Sequence, residues 1–303
     1  MRKKVKYAGW PNCVKLTNGR IELVVTTDVG PRVIRFGFVG GQNLMKEFPA
    51  QLGKTGGSAW RPYGGHRFWH APEVSPRTYA PDNAPVKHSY DGRTLTIVQP
   101  TEPSTGMAKE MDITLDSRAN CVTLVHRLIN NNAWPVEAAP WALTVMTTSG
   151  RAIFPQEEYR PHPEYLLPAR PLVLWHYSDM SDPRFTWGER FIQLRQDPKA
   201  KTKNKVGMKN TLGWGAYTLN GDLFIKRFPF DPAAAYVDFG CNTECYTDPD
   251  IIEIESLGPL STIAPGASVT HTERWYLFKA DIPADDARLA DKLLPFVKKT
   301  KPV

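Results

Sequence analysis

The 303-residue chain has little cysteine, no long apolar run and no alternation of strand with helix, and each absence closes off a class of protein. Cys13, Cys121, Cys241 and Cys245 are too few and too scattered to form the disulfide framework of a small secreted domain, so buried free thiols are expected. Cys241-x3-Cys245 has neither the CxxC spacing nor the second pair that a structural zinc site needs. No segment approaches the roughly 18 consecutive apolar residues of a membrane span. After the basic start Met1–Lys6 comes Tyr7-Ala8-Gly9-Trp10-Pro11, where an export signal needs an apolar stretch of about 7–15 residues. A cytoplasmic protein with no membrane partner is the expectation. The missing βαβ pattern argues against Rossmann and TIM architectures. No internal repeat or linker tract divides the chain, so residues 1–303 are expected to form a single domain.

The net charge of +7 is not concentrated. The basic stretch Lys199–Lys209 and the tail Lys298-Lys299-Thr300-Lys301 read as a solvated loop and a solvated end, and no nucleic-acid partner is expected. An anionic small molecule, such as a uronate or sugar phosphate, is a better use of the charge.

What the sequence does have is strand signal. Alternating apolar positions rich in β-branched and aromatic residues run through Arg20–Asp28, Val33–Val39, Thr94–Gln99, Met111–Leu115, Val122–Leu128, Leu143–Met146, Phe191–Leu194, Trp214–Leu219, Leu223–Phe228, Ile251–Glu255 and Val269–Phe278. Asn18-Gly19, Asp91-Gly92 and Asn220-Gly221 supply residues that tolerate positive φ in two-residue hairpin loops. One helix is expected, capped by Asp285, carrying Leu289, Leu293 and Phe296 on one side, with Pro295 limiting it. These signals predict an all-β, antiparallel sandwich with a short C-terminal helix. Leu44–Lys87 and Gln156–Arg190 read as long irregular stretches, where functional residues concentrate.

Two segments carry candidate chemistry. In Trp60–Glu73, the aromatics Trp60, Tyr63, Phe68 and Trp69 offer faces for sugar C–H surfaces, Arg61 and Arg67 can fork onto hydroxyl or carboxylate oxygens, and Gly64-Gly65 allows close approach of a ligand. If this segment is extended, His66, Phe68 and His70 share one side, with Arg67 and Trp69 on the other. His66, His70 and Glu73 could ligate zinc, but the prolines and glycines forbid the helix such spacing normally uses, and no metal or cofactor is expected. In Asp250–Pro259, strand alternation puts Glu253 and Glu255 on one face and Ile252 and Ile254 on the other. Neighbouring carboxylates raise one another's pKa and suit acid–base work. His88, His126, His162 and His176 read as ordinary surface or core residues.

Glu255 before Pro259, then Thr262-Ile263-Ala264-Pro265-Gly266 and the strand Val269–Leu277, resembles the C-terminal signature of the aldose 1-epimerase (galactose mutarotase) superfamily. Leu16–Leu23, Asp28–Ile34, Gly40–Leu44 and Gly64–Trp69 resemble the opening of such proteins and their arginine-bearing substrate loop. The resemblance spans nearly the whole chain and is closest to an uncharacterised bacterial branch. It implies a β-supersandwich with a sugar in its concave face, and Glu255 as general base on the anomeric hydroxyl. The family's histidine, which protonates the ring oxygen, has no counterpart: the central strand reads Ala139-Pro140-Trp141-Ala142-Leu143-Thr144. His66 or His70 is therefore expected to supply the acid from the neighbouring loop, with Trp141 stacking on the sugar. Arg61, Arg67 and Trp69 are expected to hold the sugar, and Glu253, Lys226, Tyr236 and Asp238 to line the cavity. The rivals are a non-catalytic carbohydrate-binding protein and a hydrolase or lyase acting on acidic glycans.

Overall fold

The strands expected from the sequence assemble into two large antiparallel sheets in a computed structural model that describes residues 1–303. The first sheet has eleven strands. Its order runs Arg2–Tyr7, Trp10–Thr17, Ile21–Thr26, Arg32–Phe38, Gly65–Ala71, Val136–Met146, Ile252–Leu257, Thr243–Thr247, Asn204–Met208 and Leu172–Leu174, with Ser261–Ile263 beside Val136–Met146. The second has ten, ordered Phe185–Trp187, Phe191–Arg195, Arg151–Pro155, Trp214–Leu219, Asp222–Arg227, Ser268–Lys279, Cys121–Asn130, Met107–Leu115, Thr94–Val98 and Lys87–Tyr90. This is a sandwich, and 37 buried apolar residues from the inward faces of both sheets form its main core.

Local chemistry accounts for the connections. Asn220 and Gly221 both take positive φ, as a two-residue turn of this type requires, and join Trp214–Leu219 to Asp222–Arg227. At Asp91-Gly92 the aspartate instead accepts from the backbone N–H groups of Arg93 and Thr94, and only the glycine is left-handed. The helix Asp286–Val297 starts where Asp285 accepts from the backbone N–H of Arg288. It lays Leu289, Ala290, Leu293 and Val297 on the outside of the second sheet against Ile153, Trp214 and Ile225. No helix is long and apolar enough to cross a membrane.

Two expectations need correction here. Part of the stretch read as irregular is a central strand, Gly65–Ala71, and part of the basic stretch read as a solvated loop is another, Asn204–Met208, buried throughout. The Gly64-Gly65 pair also serves the fold rather than a ligand. Both residues are left-handed, and a Cβ would stand 2.0 Å from the Lys46 carbonyl at Gly64 and 2.3 Å from the Val33 carbonyl at Gly65.

Candidate active site

Three adjacent strands of the first sheet, Gly65–Ala71, Val136–Met146 and Ile252–Leu257, present opposite chemistry on their two faces. On the inward face, His66, Phe68 and His70 point into the sandwich. His66 reaches His126 of the opposite sheet, and Phe68 joins the main core. On the outward face, Arg67 and Trp69 stand beside Leu143 and Trp141, which in turn stand beside Glu255 and Leu257. The next strands extend this face with Glu244, opposite Glu255, and with Lys205, opposite Tyr246.

The outward face gathers buried charged side chains among aromatic rings. Arg67 donates from Nη2 to Glu253 Oε1 at 2.9 Å, and its guanidinium lies 4.5 Å from the Trp69 ring and 5.7 Å from Trp60. Trp60, Trp69 and Tyr79 pack on one another edge-on or tilted. Trp141 does not lie open for stacking: it is 2% exposed, and its Nε1–H donates to Glu255 Oε2 at 2.8 Å. Lys205 sits between the Trp141 and Trp175 rings, with Nζ 2.6 Å from Glu244 Oε2 and 3.5 Å from Glu255 Oε2. Gly207 makes room for this arrangement, since a Cβ there would stand 2.6 Å from Cys241 Sγ and 3.1 Å from Trp175.

Three carboxyl groups thus share two cations in a nearly dry site. Burial pushes the Glu253 carboxyl up to about 7, with Glu255 adding to the rise and Arg67 opposing it. Burial also holds Glu244 well above the usual carboxylate range; Lys205 opposes this, and Glu255 and Asp238 reinforce it. Burial works against the charge on Lys205, but the carboxylates of Glu244 and Glu255 overcome it and hold the ammonium well above its ordinary value. Burial and crowding thus favour the protonated forms of Glu244 and Glu253. Five buried polar atoms here have no hydrogen-bond partner: Arg67 Nε and Nη1, Glu244 Oε1 and Oε2, and Glu255 Oε1.

Several expected site residues lie elsewhere. His66 and His70 are on the opposite face of the sheet from Glu255, because strand alternation sends them inward, so neither can act as the acid there. Lys226 also points inward, with Nζ 2.6 Å from Glu273 and bonded to the carbonyls of Ala142 and Ile254. Arg61 is committed to the Gly56 carbonyl and the Tyr63 hydroxyl, where it ties the preceding loop. Tyr236 stacks on Phe230 and accepts from the Asp231 N–H. Asp238 is close enough for its charge to act on Glu244 and Cys241, and both it and Phe239 are left-handed. Sequence reasoning missed Glu244, Lys205, Trp175 and Tyr246. Period-2 alternation in Thr243–Thr247 could have found Glu244; for Lys205 the surrounding lysines hid the strand.

The inward face holds a second polar group, His66, His126, His271, Ser256, Glu273, Lys226 and Thr144, all buried. The His271 carbonyl can only accept, so neutral His126 carries its proton on Nδ1, 3.0 Å away, and takes the His66 Nε2–H on Nε2 at 2.7 Å. His66 Nδ1 meets the Thr144 hydroxyl at 3.0 Å, and that oxygen also accepts from Lys226. Glu273 receives Ser256, Trp275 and Lys226. His66, His126 and Glu273 bring ligand atoms within 4.8 Å of one another, a set that zinc could use. Both imidazoles nonetheless already have protein partners on each nitrogen, and Lys226 neutralises the carboxylate. Two cavities of about 710 and 790 Å³ lie away from both groups, one by Arg151 and Lys292, the other by Asn18 and Tyr90.

No family model and no curated protein matches the sequence. The fold has clear counterparts among solved structures. A Klebsiella pneumoniae protein proposed to be an aldose 1-epimerase superposes with a TM-score of 0.62 at 12% identity, covering 98% of this chain and 86% of that one. A galactose mutarotase-like protein from Lactobacillus casei gives 0.56 at 8% identity, over 88% of this chain and 100% of that one. A TPR-domain containing protein from Parabacteroides distasonis gives 0.57 at 14% identity over 91% of this chain, which spans 48% of that protein's length. The chain has the galactose mutarotase-like fold.

Proposed function

We propose that the outward face binds a carbohydrate and that the protein is an aldose 1-epimerase-like isomerase with Glu255 as its general base. The carrying observation is the gathering of five unpartnered buried polar atoms, on Arg67, Glu244 and Glu255, among Trp60, Trp69, Trp141 and Trp175. Each such atom costs about 1–3 kcal/mol unless something pairs with it, so their concentration in one place suits a ligand with many hydroxyls. Aromatic walls suit the C–H faces of that same ligand. Glu255 has one oxygen held by Trp141 and one open, which fits a base reaching a hydroxyl proton.

Hydrolysis is less well supported. A retaining hydrolase needs carboxyls about 5–5.5 Å apart flanking the bond, whereas Glu253 and Glu255 rise from one strand on one side, and Glu253 is tied to Arg67. The binding-protein reading draws on the absence of an imidazole from the residues that form this site. Anomer exchange followed by NMR across a sugar panel, beside calorimetric binding, separates the readings. The isomerase reading expects accelerated exchange of at least one bound sugar, and Glu255→Gln should lower the rate about 10²–10⁴-fold while binding persists. Exchange at the spontaneous rate for every sugar that binds would leave a binding protein, and a panel with no binder would remove the carbohydrate reading.

A further inference from the structure

We propose that Glu244 is the general acid of this site, with Lys205 as the residue that positions it. The inference rests on the isomerase reading above and supplies the partner that Glu255 lacks.

Geometry supports the choice. Glu244 and Glu255 are direct cross-strand partners on neighbouring strands, which places their side chains alongside each other on the same face. Opening a pyranose requires a base at the anomeric hydroxyl and an acid at the ring oxygen, two oxygens attached to the same carbon. Side-by-side carboxyls meet that requirement, while groups on opposite walls suit bond cleavage between two sugars. Lys205 Nζ forms an ion pair with Glu244 on the Oε2 side at 2.6 Å, which leaves Oε1 as the oxygen to carry a hydrogen and donate it; neither oxygen has a hydrogen-bond partner in the protein. Its neighbour Glu255 is the mirror case, with Oε2 held by Trp141 and Lys205 and Oε1 open. The two open oxygens belong to a carboxyl whose protonated form burial favours and to one whose other oxygen Trp141 and Lys205 hold.

The step balances. Glu255 Oε1 takes the proton of the anomeric hydroxyl, that oxygen's electron pair forms the carbonyl, the bond from the anomeric carbon to the ring oxygen breaks, and the ring oxygen takes the proton from Glu244 Oε1. After rotation about the adjoining carbon–carbon bond, the ring hydroxyl returns its proton to Glu244 as it attacks the other carbonyl face, and Glu255 returns its own. No oxidant or reductant is needed. Lys205 keeps its proton throughout and stabilises whichever carboxylate is ionised.

The test compares Glu244→Gln, Glu255→Gln and Lys205→Met with wild type, using the panel sugar exchanged fastest and measuring binding separately. Glu244→Gln should keep binding within a few-fold, lose about 10²–10⁴-fold in exchange rate, and lose the alkaline limb of the pH–rate profile. Glu244→Asp should restore part of the rate together with that limb. Carboxyl 13C NMR gives a check that does not depend on catalysis: besides the glutamate that titrates near 7, a second glutamate signal should stay protonated above that pH in the wild type and be absent from Glu244→Gln. Wild-type exchange with an unchanged alkaline limb in Glu244→Gln, alongside a dead Glu255→Gln, overturns the role of Glu244 and leaves the isomerase reading standing. A fully ionised set of glutamates at neutral pH overturns it too.

Discussion

The two faces of the first sheet each border a group of buried polar side chains, and the two groups are finished differently. Inward, His66, His126, Thr144, Lys226, Ser256 and Glu273 close into a network whose donors and acceptors answer one another; His271 Nδ1 is its one unpartnered ring nitrogen, and His70, on the same face outside the network, has no partner on either nitrogen. Outward, Arg67, Glu244 and Glu255 keep open atoms among tryptophans. A closed buried network specifies how two sheets pack, whereas an open one spends stability to meet something else. The contrast, rather than charge or burial alone, distinguishes scaffold from site.

The largest effect should come from the closed face. Lys226→Met strands the fully buried Glu273 carboxylate and should lower unfolding stability by about 3–5 kcal/mol by urea denaturation. The double variant Lys226→Met/Glu273→Gln should lose less than that single change. A smaller loss in Lys226→Met than in surface controls would mean the network is not closed as described.

On the open face, Arg67→Met should weaken sugar binding about 10–150-fold by calorimetry, the worth of charge-assisted hydrogen bonds of about 1.5–3 kcal/mol. Unfolding stability should change much less than in Lys226→Met. Equal losses of stability for the two variants would erase the distinction between the faces.

The faces should also respond to acid with opposite sign. His271 is pushed down to about 3 by burial, so below pH 6.5 the unfolded chain takes up protons that the folded chain refuses, and stability falls as pH drops towards 3. Glu253 is pushed up to about 7, so as pH falls from 7 to about 4.5 the folded chain takes up a proton first and this group's contribution rises. Glu253→Gln should remove that rise and make the acid loss of stability steeper over the same interval, measured as urea unfolding against pH. Parallel profiles for variant and wild type would show Glu253 to be ionised across this range.

A smaller effect is expected from Trp141→Phe, which removes the donor 2.8 Å from Glu255 Oε2 and leaves the ring. The exchange rate should fall by less than in Glu255→Gln while sugar binding stays within a few-fold, because Oε2 loses its positioning donor and the open Oε1 is untouched. An unchanged rate would separate Trp141 from the base.

Much of the fold was legible because alternation and turn chemistry are local. Arg20–Asp28 appears as Ile21–Thr26, Val269–Phe278 as Ser268–Lys279, and Asp285 caps its helix. The site was legible in part. Alternation put Arg67 with Trp69 and Glu253 with Glu255 correctly, yet the same alternation, applied to His66 and His70, should have sent them away from Arg67's face and disqualified them as acids. Lys205 stayed hidden because its stretch is rich in lysine and its burial comes from Trp141, Trp175 and Glu244, which are distant in sequence.

The sequence by itself determined the strand-rich class, the hairpins, the helix cap and the pairing of side chains on each strand's face, because period-2 geometry and turn preferences act over a few residues. Only the tertiary structure decided which of those faces looks into the sandwich and which looks out, and which carboxyl stands beside Glu255. Strand order brings Thr243–Thr247 beside Ile252–Leu257 and Asn204–Met208 beside Thr243–Thr247, where burial raises the proton affinity of Glu244 and the neighbouring carboxylates raise that of Lys205.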